Sequence, residues 1–427
     1  MPAVDELTRA VFAGLEVTPE QEAMASGHHG AAVRLAMRVL LVAARTQKAD
    51  RMVPITAAHI DSCLYHGPSS LDFVRTMVAG GGEVKVPTTL NVGGLDLNRP
   101  DLFLGPASVR DGATELMERY VELGARPTFT CAPYQLPGRP AMGEDVAWAE
   151  SNAIVFGNSM IGLRTNRYGD LIDVCAAITG LVPHSGLHVP RNRAARAVFT
   201  VDPDACEVDP DLLPALLGHY VSRLTGTTIP VLDGLQDVPV DEDWGKAFGA
   251  AAASGGGVAM FHVAGHTPEA ADLATATQGL PPVVQHRVTL AHLETARREL
   301  NSAADDAELG GVSLGTPHLS GHQLTAMAEQ LSGRVVLVPT FATTSRSVVA
   351  AEPAAVAELE RAGVTIVRDT CTYGPSKVID PDGAMMTNSA KWAYYAPSQL
   401  GYDVVLASRR DCIESAVAGR ILVGSAW

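Results

Sequence analysis

The sequence predicts an α/β protein made of mostly parallel sheets with flanking helices. Two observations lead to this fold class. Short apolar runs alternate with stretches that carry apolar residues at helical spacing, and most of the runs lead into a polar loop. With 427 residues, of which 47% are hydrophobic, the chain is long enough for two or three domains with ample core.

In the first half of the chain, apolar spacing predicts one long helix over residues 18–47, ended by a polar break at 48–51. Two later stretches with the same spacing, each followed by glycine, predict helices over 69–78 and 111–123. The short apolar runs predict buried strands at 51–56, 83–87, 127–130 and 153–156.

The second half repeats this alternation. It predicts strands at 257–263, 311–314, 335–339, 364–368 and 404–407, with helices over 320–331 and 353–362. Turn-prone stretches at 224–230 and 250–257 are the candidate domain boundaries. We place the boundary in the first of them, between an N-terminal α/β domain with a helical lead-in, residues 1–225, and a C-terminal α/β part, residues 226–427.

Charge and apolar-run length narrow the possible partners and compartment. The formal net charge of −15 argues against nucleic acid and anionic lipid surfaces, both of which attract basic proteins. Residues 1–16 are acidic and mixed, unlike a signal peptide, and no stretch reaches the apolar length of a membrane helix. We therefore expect a cytoplasmic protein, in which six cysteines are thiols or metal ligands rather than disulfides.

Three cysteines stand where a shared site is expected. Cys131 and Cys371 directly follow predicted strands, and Cys63 occupies a third loop of this kind. Ligands of open α/β sheets bind outside the carboxyl ends of strands, so these loops can bring three thiolates together around iron and sulfide. Buried, inert thiols are the alternative. Cys175 and Cys412 fall in apolar helical patterns and are predicted to be core residues.

Polar side chains near the same loops offer acid–base chemistry. Glu150 and Ser151 precede the run 153–156 and suit a carboxylic substrate or a proton relay, although a polar helix end would look the same. Lys391 begins an aromatic stretch and is a candidate general acid or anion clamp, or otherwise a surface lysine. His318 is a candidate site residue, with a structural histidine as the alternative.

Read together, these segments resemble one family along most of the chain. The similarity lies in seven ordered motifs: HIDSCLYHG at 59–67, VPTTLNVG at 86–93, TCAPYQ at 130–135, AESNA at 149–153, residues 164–170, DTCTY at 369–373 and residues 386–397. They look like the large subunit of aconitase X.

The resemblance implies a dehydratase of the aconitase superfamily, with α/β domains around an iron–sulfur cluster and a small swivelling domain that this chain lacks. Bacterial members convert cis-3-hydroxy-L-proline to Δ1-pyrroline-2-carboxylate, and archaeal members dehydrate mevalonate 5-phosphate. Archaeal members tend to have cysteine where this chain has Thr316, and they lack a cysteine at the place of Cys63. The chain therefore looks bacterial in type, with a [2Fe-2S] cluster on Cys63, Cys131 and Cys371 preferred over [4Fe-4S].

The resemblance also suggests the remaining site residues and a partner. Glu150, Ser151 and Lys391 are expected to be catalytic. The expected substrate-binding residues are Ser62, Leu64, Asn91, Tyr134, Thr316, His318 and Arg346. The base of the superfamily is a serine on the swivelling domain, so a separate small subunit is expected to supply it. The alternatives are a dehydratase of mevalonate 5-phosphate or another hydroxy acid, a cluster-carrying binding or regulatory protein without catalysis, and a zinc lyase.

Overall fold

The computed structural model describes residues 14–304, 306–374 and 377–424. In this part of the chain, three parallel sheets and one two-stranded antiparallel pair are flanked by helices. The observed architecture confirms the predicted α/β class with mostly parallel sheets.

The first part of the chain holds a small parallel sheet with the order β3-β2-β4 and an antiparallel β1–β5 pair. Its elements are α1 (Pro19–Ser26), α2 (Ala31–Thr46), β1 (Met52–Pro54), β2 (Ala58–Ile60), α3 (Pro68–Ala79), β3 (Thr88–Leu90), α4 (Ala107–Glu122), β4 (Ala147–Trp148), α5 (Ser151–Phe156), α6 (Ile172–Thr179) and β5 (Leu181–Pro183).

A four-stranded parallel sheet follows, with the order β8-β7-β6-β9. Its elements are β6 (Ala197–Val201), α7 (Leu213–Thr225), β7 (Pro230–Asp233), α8 (Glu242–Gly255), β8 (His262–Val263), α9 (Leu273–Thr277), β9 (Val284–Val288) and α10 (Leu290–Leu300). The predicted domain boundary at 225/226 falls between α7 and β7, inside this unit, and the two-part division stays a prediction.

The last unit is a five-stranded parallel sheet with the order β12-β11-β10-β13-β14. Its elements are β10 (Leu309–Leu319), α11 (Gly321–Leu331), β11 (Thr340–Thr344), α12 (Arg346–Ala351), α13 (Pro353–Arg361), β12 (Val364–Val367), β13 (Ala384–Thr387), α14 (Ala390–Leu400), β14 (Val404–Leu406) and α15 (Arg409–Ala418). Short turns of 3-10 or π helix include Pro133–Gln135 and Gly157–Ile161.

Loops of the first and last sheets meet, and this contact creates the site. The amide of Gly93 donates to the carbonyl of Asp369 at 2.6 Å, and the amide of Arg368 donates to the Asp96 carboxylate at 2.8 Å. Asn98 Nδ2 adds a third bond, to Asp369 Oδ2 at 2.9 Å. The segment that follows β3 is thereby fixed against the segment that follows β12.

Several sequence predictions need correction. The helix expected over 18–47 is two helices, because Gly27 and Gly30 take positive φ values of 91° and 97° between them. The run 153–156, predicted to be a strand, is part of α5, whose first turn is capped by the Glu150 side chain. The segment 127–130 is not a regular strand, since Phe129 has a φ of 40°.

The predicted strands at 83–87 and 335–339 lie just before the observed β3 and β11. Of the run 257–263, only the last two residues are strand β8. The sequence did not predict strands β2, β4, β5, β6, β7, β9 and β13. By contrast, α3, α4, α11 and α13 match their predicted ranges closely, and strands at 311–314, 364–367 and 404–406 are confirmed.

Candidate metal centre and active site

Cys131 and Cys371 lie together, almost fully buried, where the first and last sheets meet. Their exposed fractions are 2% and 6%, and they form one apolar cluster with Val92, against which Tyr373 packs. The two thiols come from loops that are 240 residues apart in the chain, so only the tertiary fold brings them together. This pairing agrees with the placement expected from the sequence.

The two thiols differ in their proton affinity. Burial opposes ionisation of Cys131, but a hydrogen bond from the Cys371 thiol, the Lys391 ammonium and the His318 amide together lower its pKa. The pKa of Cys371 is raised well above its usual range, because its proton is shared with Cys131 and because it is buried. The pair is therefore suited to hold one thiolate, and a metal cation would favour the second.

His318 completes a three-residue group with these cysteines. Ligand atoms of Cys131, His318 and Cys371 all lie within 4.8 Å of one another. The His318 amide donates to Cys131 Sγ at 3.3 Å, while the ring contacts Thr130 Oγ1 through Nδ1 at 3.1 Å and the Thr370 carbonyl through Nε2 at 3.2 Å. Burial lowers the pKa of His318 to about 4, so its ring is neutral near pH 7.

A buried ion pair stands beside the thiols. Lys391 Nζ, at the start of α14, donates to Glu150 Oε1 at 2.6 Å and to Ser151 Oγ at 3.3 Å. The Ser151 hydroxyl donates to the same Glu150 oxygen at 3.1 Å. Burial opposes the charged form of each partner, but the pair's mutual attraction lowers the pKa of Glu150 and raises that of Lys391. The structure thus brings the three predicted catalytic residues together.

Two of the predicted substrate-binding residues present buried polar atoms that no other group satisfies. These atoms are Asn91 Oδ1 and Thr316 Oγ1. Buried polar atoms without a partner are rare in folded proteins, and at a site of this kind they mark positions that a ligand or water can fill. Asn91 Nδ2 is already committed to the Asp61 carboxylate, with which it makes a short hydrogen bond.

Cys63 lies close to this centre but outside the three-residue group. Its thiol contacts the carbonyls of Asn91 at 3.1 Å and Val92 at 3.8 Å, and Val92 belongs to the apolar cluster of Cys131 and Cys371. Burial and the nearby carboxylates of Asp61 and Asp173 raise the pKa of Cys63 well above its usual range. Its role as a third ligand stays a prediction.

The other predicted substrate-binding residues are largely committed to protein partners. Ser62 Oγ donates to Asp173 and accepts from the Leu171 amide at 2.7 Å. Arg346 makes a forked pair with Asp369 at 2.5 and 2.6 Å and lies over the Phe129 ring.

Tyr134 is buried as well, and Leu64 lies at the edge of the same loop region. Tyr134 stacks on Phe156 at 3.7 Å and accepts a hydrogen bond from Asn152 Nδ2 at 2.7 Å. Leu64 is partly exposed and its amide donates to the Asp61 carbonyl. Of the seven predicted substrate-binding residues, Asn91 and Thr316 thus offer the most evident free hydrogen-bonding capacity.

Two acidic residues of the site were not predicted. Asp61 accepts a hydrogen bond from Asn91, and burial together with the charges of Glu150, Asp170 and Asp173 raises its pKa to about 7. Asp173, at the start of α6, accepts from the amides of Asp61 and Ser62 and from the Ser62 hydroxyl. The position of Asp61 directly after a strand was the available signal in the sequence, whereas Asp173 looked like an ordinary helix residue.

This geometry defines an α/β protein with a buried Cys–His–Cys centre between its sheets, and comparison with known proteins places it more narrowly. Sequence models of the aconitase X first, second and third domains match residues 14–191, 195–298 and 309–418. The chain belongs to the aconitase X family.

Relatives of known activity carry two different names. The cis-3-hydroxy-L-proline dehydratase of Pseudomonas aeruginosa is 42% identical over 98% of this chain and 73% of its own length. The enzyme of the same name from Hypocrea jecorina is 38% identical, over 98% and 71%. The phosphomevalonate dehydratase large subunit of Methanosarcina mazei is 31% identical, over 95% of this chain and 98% of its own length.

A crystal structure of Thermococcus kodakaraensis aconitase X in its holo-form superposes with a TM-score of 0.83 at 30% identity, covering 94% of this chain and 100% of that one. Among the described residues, no helix combines the length and apolarity that a membrane span requires.

Family membership implies an iron–sulfur cluster, and the residues at the centre fit one. Cysteine thiolates are the usual ligands of such clusters, and Cys131 and Cys371 supply two within one buried group. The Lys391 ammonium favours the thiolate form of both cysteines, although the pKa of Cys371 stays raised because its proton is shared with Cys131 and because it is buried. The unpartnered oxygens of Asn91 and Thr316 provide polar contacts for a substrate beside it.

Proposed function

We propose that this chain is the large subunit of a hydro-lyase that removes water from cis-3-hydroxy-L-proline and yields Δ1-pyrroline-2-carboxylate. Cys131 and Cys371 would hold a [2Fe-2S] cluster, with Cys63 as the third thiolate. The observation that carries the proposal is the buried thiol pair beside the Lys391–Glu150 ion pair. The names of the two cis-3-hydroxy-L-proline dehydratases, at 42% and 38% identity, support the choice of substrate.

The reaction breaks two bonds of the substrate. A base takes the proton from C2, next to the carboxylate, and hydroxide leaves C3 as water; the resulting enamine then tautomerises to the cyclic imine. The bound cluster would supply the Lewis acid that assists departure of hydroxide. The residues of this chain would bind the substrate and stabilise its negative charge. Lys391 and the unpartnered oxygens of Asn91 and Thr316 would contact the polar groups of the substrate.

The ion pair decides what Lys391 and Glu150 can do. Because Glu150 keeps Lys391 charged and Lys391 keeps Glu150 ionised, neither residue is poised to exchange a proton near pH 7. Lys391 is better suited to stabilise negative charge on the substrate carboxylate and the thiolates. Ser151, which is hydrogen-bonded to both partners and partly exposed, is the member of the trio that can turn toward a substrate.

The base would come from a small partner subunit. The names of the archaeal relatives, which are phosphomevalonate dehydratase large subunits, support this. A swivelling domain bearing a serine would close over the site. Six free cysteines suit a reducing cytoplasm as the compartment.

The charges at the site favour a cyclic amino acid over mevalonate 5-phosphate. Arg346 and Lys391 are each bonded to a buried carboxylate, which leaves both less available to a phosphate dianion. A zwitterionic substrate with one carboxylate needs fewer unpaired cationic side chains at the site than mevalonate 5-phosphate, which has a carboxylate and a phosphate.

The test is turnover by the anaerobically reconstituted complex with its small subunit. We expect Δ1-pyrroline-2-carboxylate from cis-3-hydroxy-L-proline, detected as its coloured adduct with o-aminobenzaldehyde, and no product from trans-3-hydroxy-L-proline. Turnover of mevalonate 5-phosphate instead would reverse the substrate proposal. Cluster-dependent colour without turnover of any hydroxy acid would favour a binding or regulatory protein, and a colourless protein containing zinc would contradict the cluster.

A further inference from the structure

We propose that His318 is a positioning residue that ties the two cysteine loops together, rather than a ligand of the metal centre. The proposal rests on the function proposed above insofar as the thiols hold a metal. It concerns a residue that the sequence suggested as a substrate contact and that the structure places among possible ligands.

The ring of His318 spans the residues that precede the two cysteines. Nε2 faces the carbonyl of Thr370, which can only accept, so this nitrogen carries the ring proton and donates. In the tautomer with its proton on Nε2, Nδ1 accepts from the Thr130 hydroxyl, whose oxygen already accepts from the Ala132 amide. One side chain therefore links the residue before Cys131 to the residue before Cys371.

The backbone of His318 strengthens the same link. Its amide donates to Cys131 Sγ at 3.3 Å, and its carbonyl accepts from Lys246 Nζ at 3.2 Å. Lys246 is itself buried and held by Asp243 at 2.8 Å and Gln323 at 2.6 Å. Helix α8 of the second unit thus anchors the backbone of His318 at the centre.

Thr130 has both of its hydrogen-bonding roles filled in this arrangement. Its oxygen accepts from the Ala132 amide at 3.1 Å while its proton goes to His318. The buried oxygens without a partner in this part of the protein include those of Asn91, Gln135, Asn152 and Thr316, and neither ring nitrogen of His318 is in that state. The free capacity of the site therefore lies elsewhere than on this histidine.

The positioning role and the ligand role predict opposite effects of one substitution. If His318 ties the loops, Thr130→Val breaks the tie and weakens metal binding. If His318 is a ligand through Nδ1, the same substitution frees the nitrogen and leaves metal binding unchanged or tighter. Thr130→Ser keeps the hydroxyl and serves as the conservative rescue.

The experiment titrates Co²⁺ into the full-length apoprotein under reducing, anaerobic conditions and follows the thiolate-to-metal charge-transfer and d–d bands. We expect Thr130→Val and His318→Gln each to weaken Co²⁺ binding by about five- to tenfold, the order expected for one lost hydrogen bond. The double variant should be no weaker than the weaker single variant, because both changes break the same tie. The d–d bands should keep their positions.

Two controls keep the result interpretable. Thr130→Ser should bind Co²⁺ like the wild type. His262→Gln removes another buried histidine, which contacts the Arg193 carbonyl in the second unit. This variant should lose the stability that depends on a buried histidine, as His318→Gln does, but should bind Co²⁺ like the wild type.

Unchanged or tighter binding by Thr130→Val, together with a shift of the d–d bands in His318→Gln, would overturn the proposal in favour of ligation. Additive effects in the double variant, or no effect in either single variant, would also overturn it. The titration uses neither substrate nor small subunit, so its outcome is separate from failure of the proposed dehydration.

Discussion

The centre around Cys131 and Cys371 and the loop around Cys63 are both buried, yet the pKa of Cys131 is lowered and the pKa of Cys63 is raised. Cys131 receives hydrogen bonds and lies near the Lys391 ammonium, which lowers its pKa. Cys63 lies against backbone carbonyls, and burial together with the carboxylates of Asp61 and Asp173 raises its pKa. Burial raises the pKa of all three thiols, and the neighbouring charges and hydrogen bonds offset that rise at Cys131 but not at Cys371 or Cys63.

Removal of either central thiol is expected to have the largest effect. Cys131→Ala and Cys371→Ala should reduce iron bound after anaerobic reconstitution to background, and turnover should fall by more than the roughly 100-fold typical of losing an outer-shell partner. The measurements are iron and sulfide content, visible absorption and turnover with the small subunit. Cys412→Ala, which removes a core thiol in the last unit, should keep the cluster. Equal cluster content in Cys131→Ala and Cys412→Ala would contradict the assigned centre.

The ion pair beside the thiols should produce the next largest effect. Lys391→Met leaves Glu150 charged and buried without its partner, which should cost about 3 to 5 kcal/mol of stability and most of the activity. Glu150→Gln in the Lys391→Met background removes the stranded charge and should recover much of the stability but little activity. Urea unfolding and turnover measure the two effects. If the double variant is as unstable as Lys391→Met, the buried charge is not the cause.

The expected proximity of Cys131 and Cys371 agrees with the structure, whereas much of the secondary structure predicted around them does not. A thiol directly after a predicted strand can be placed at a sheet edge by a local pattern, and Cys371 follows β12 with little deviation. The run 153–156 is apolar throughout, so its periodicity could not separate a buried helix from a strand. In the structure the Glu150 side chain, which is also a site residue, caps the first turn of this helix.

What the sequence could not provide is the direction of side chains. His318 was suggested as a substrate contact, but its two ring bonds depend on loops at Thr130 and Thr370 that meet only in the folded chain. Ser62 likewise looked available and is held by Asp173, which lies 111 residues further along the chain. These hydrogen bonds depend on tertiary contacts, so the spacing of residues within a motif cannot predict them.

Cys63 gives a smaller effect that tests the comparison directly. If it is the third ligand, Cys63→Ala should lower cluster retention, with a partial rather than complete loss because Cys131 and Cys371 remain. Thr316→Cys in the Cys63→Ala background places a thiol near the same centre and should restore part of the retained iron. Iron content after gel filtration measures both. Unchanged retention in Cys63→Ala would assign this thiol to the core and leave the third ligand to another group.

The smallest expected effect is in the pH dependence of stability, and it arises within the Cys63 region. Burial lowers the pKa of His59, on β2 before the Cys63 loop, to about 4. The unfolded chain takes up this proton below about pH 6.5 while the folded chain does not, so stability falls as the pH drops from about 6.5 to 4. His59→Gln should remove up to roughly 1.4 kcal/mol per pH unit of that slope.

Asp61 supplies the opposite case within the same loop. Its folded pKa of about 7 lies above that of the unfolded chain, so the stability it contributes is complete at low pH and is lost as the pH rises toward 7. We would measure urea unfolding midpoints of the apoprotein from pH 4.5 to 8. Relative to the wild type, the midpoint of Asp61→Asn should increase as the pH rises, whereas the midpoint of His59→Gln should increase as the pH falls. Parallel pH curves for the wild type and both variants would mean that water reaches this loop, and that charge in the Cys63 region is screened more than its burial implies.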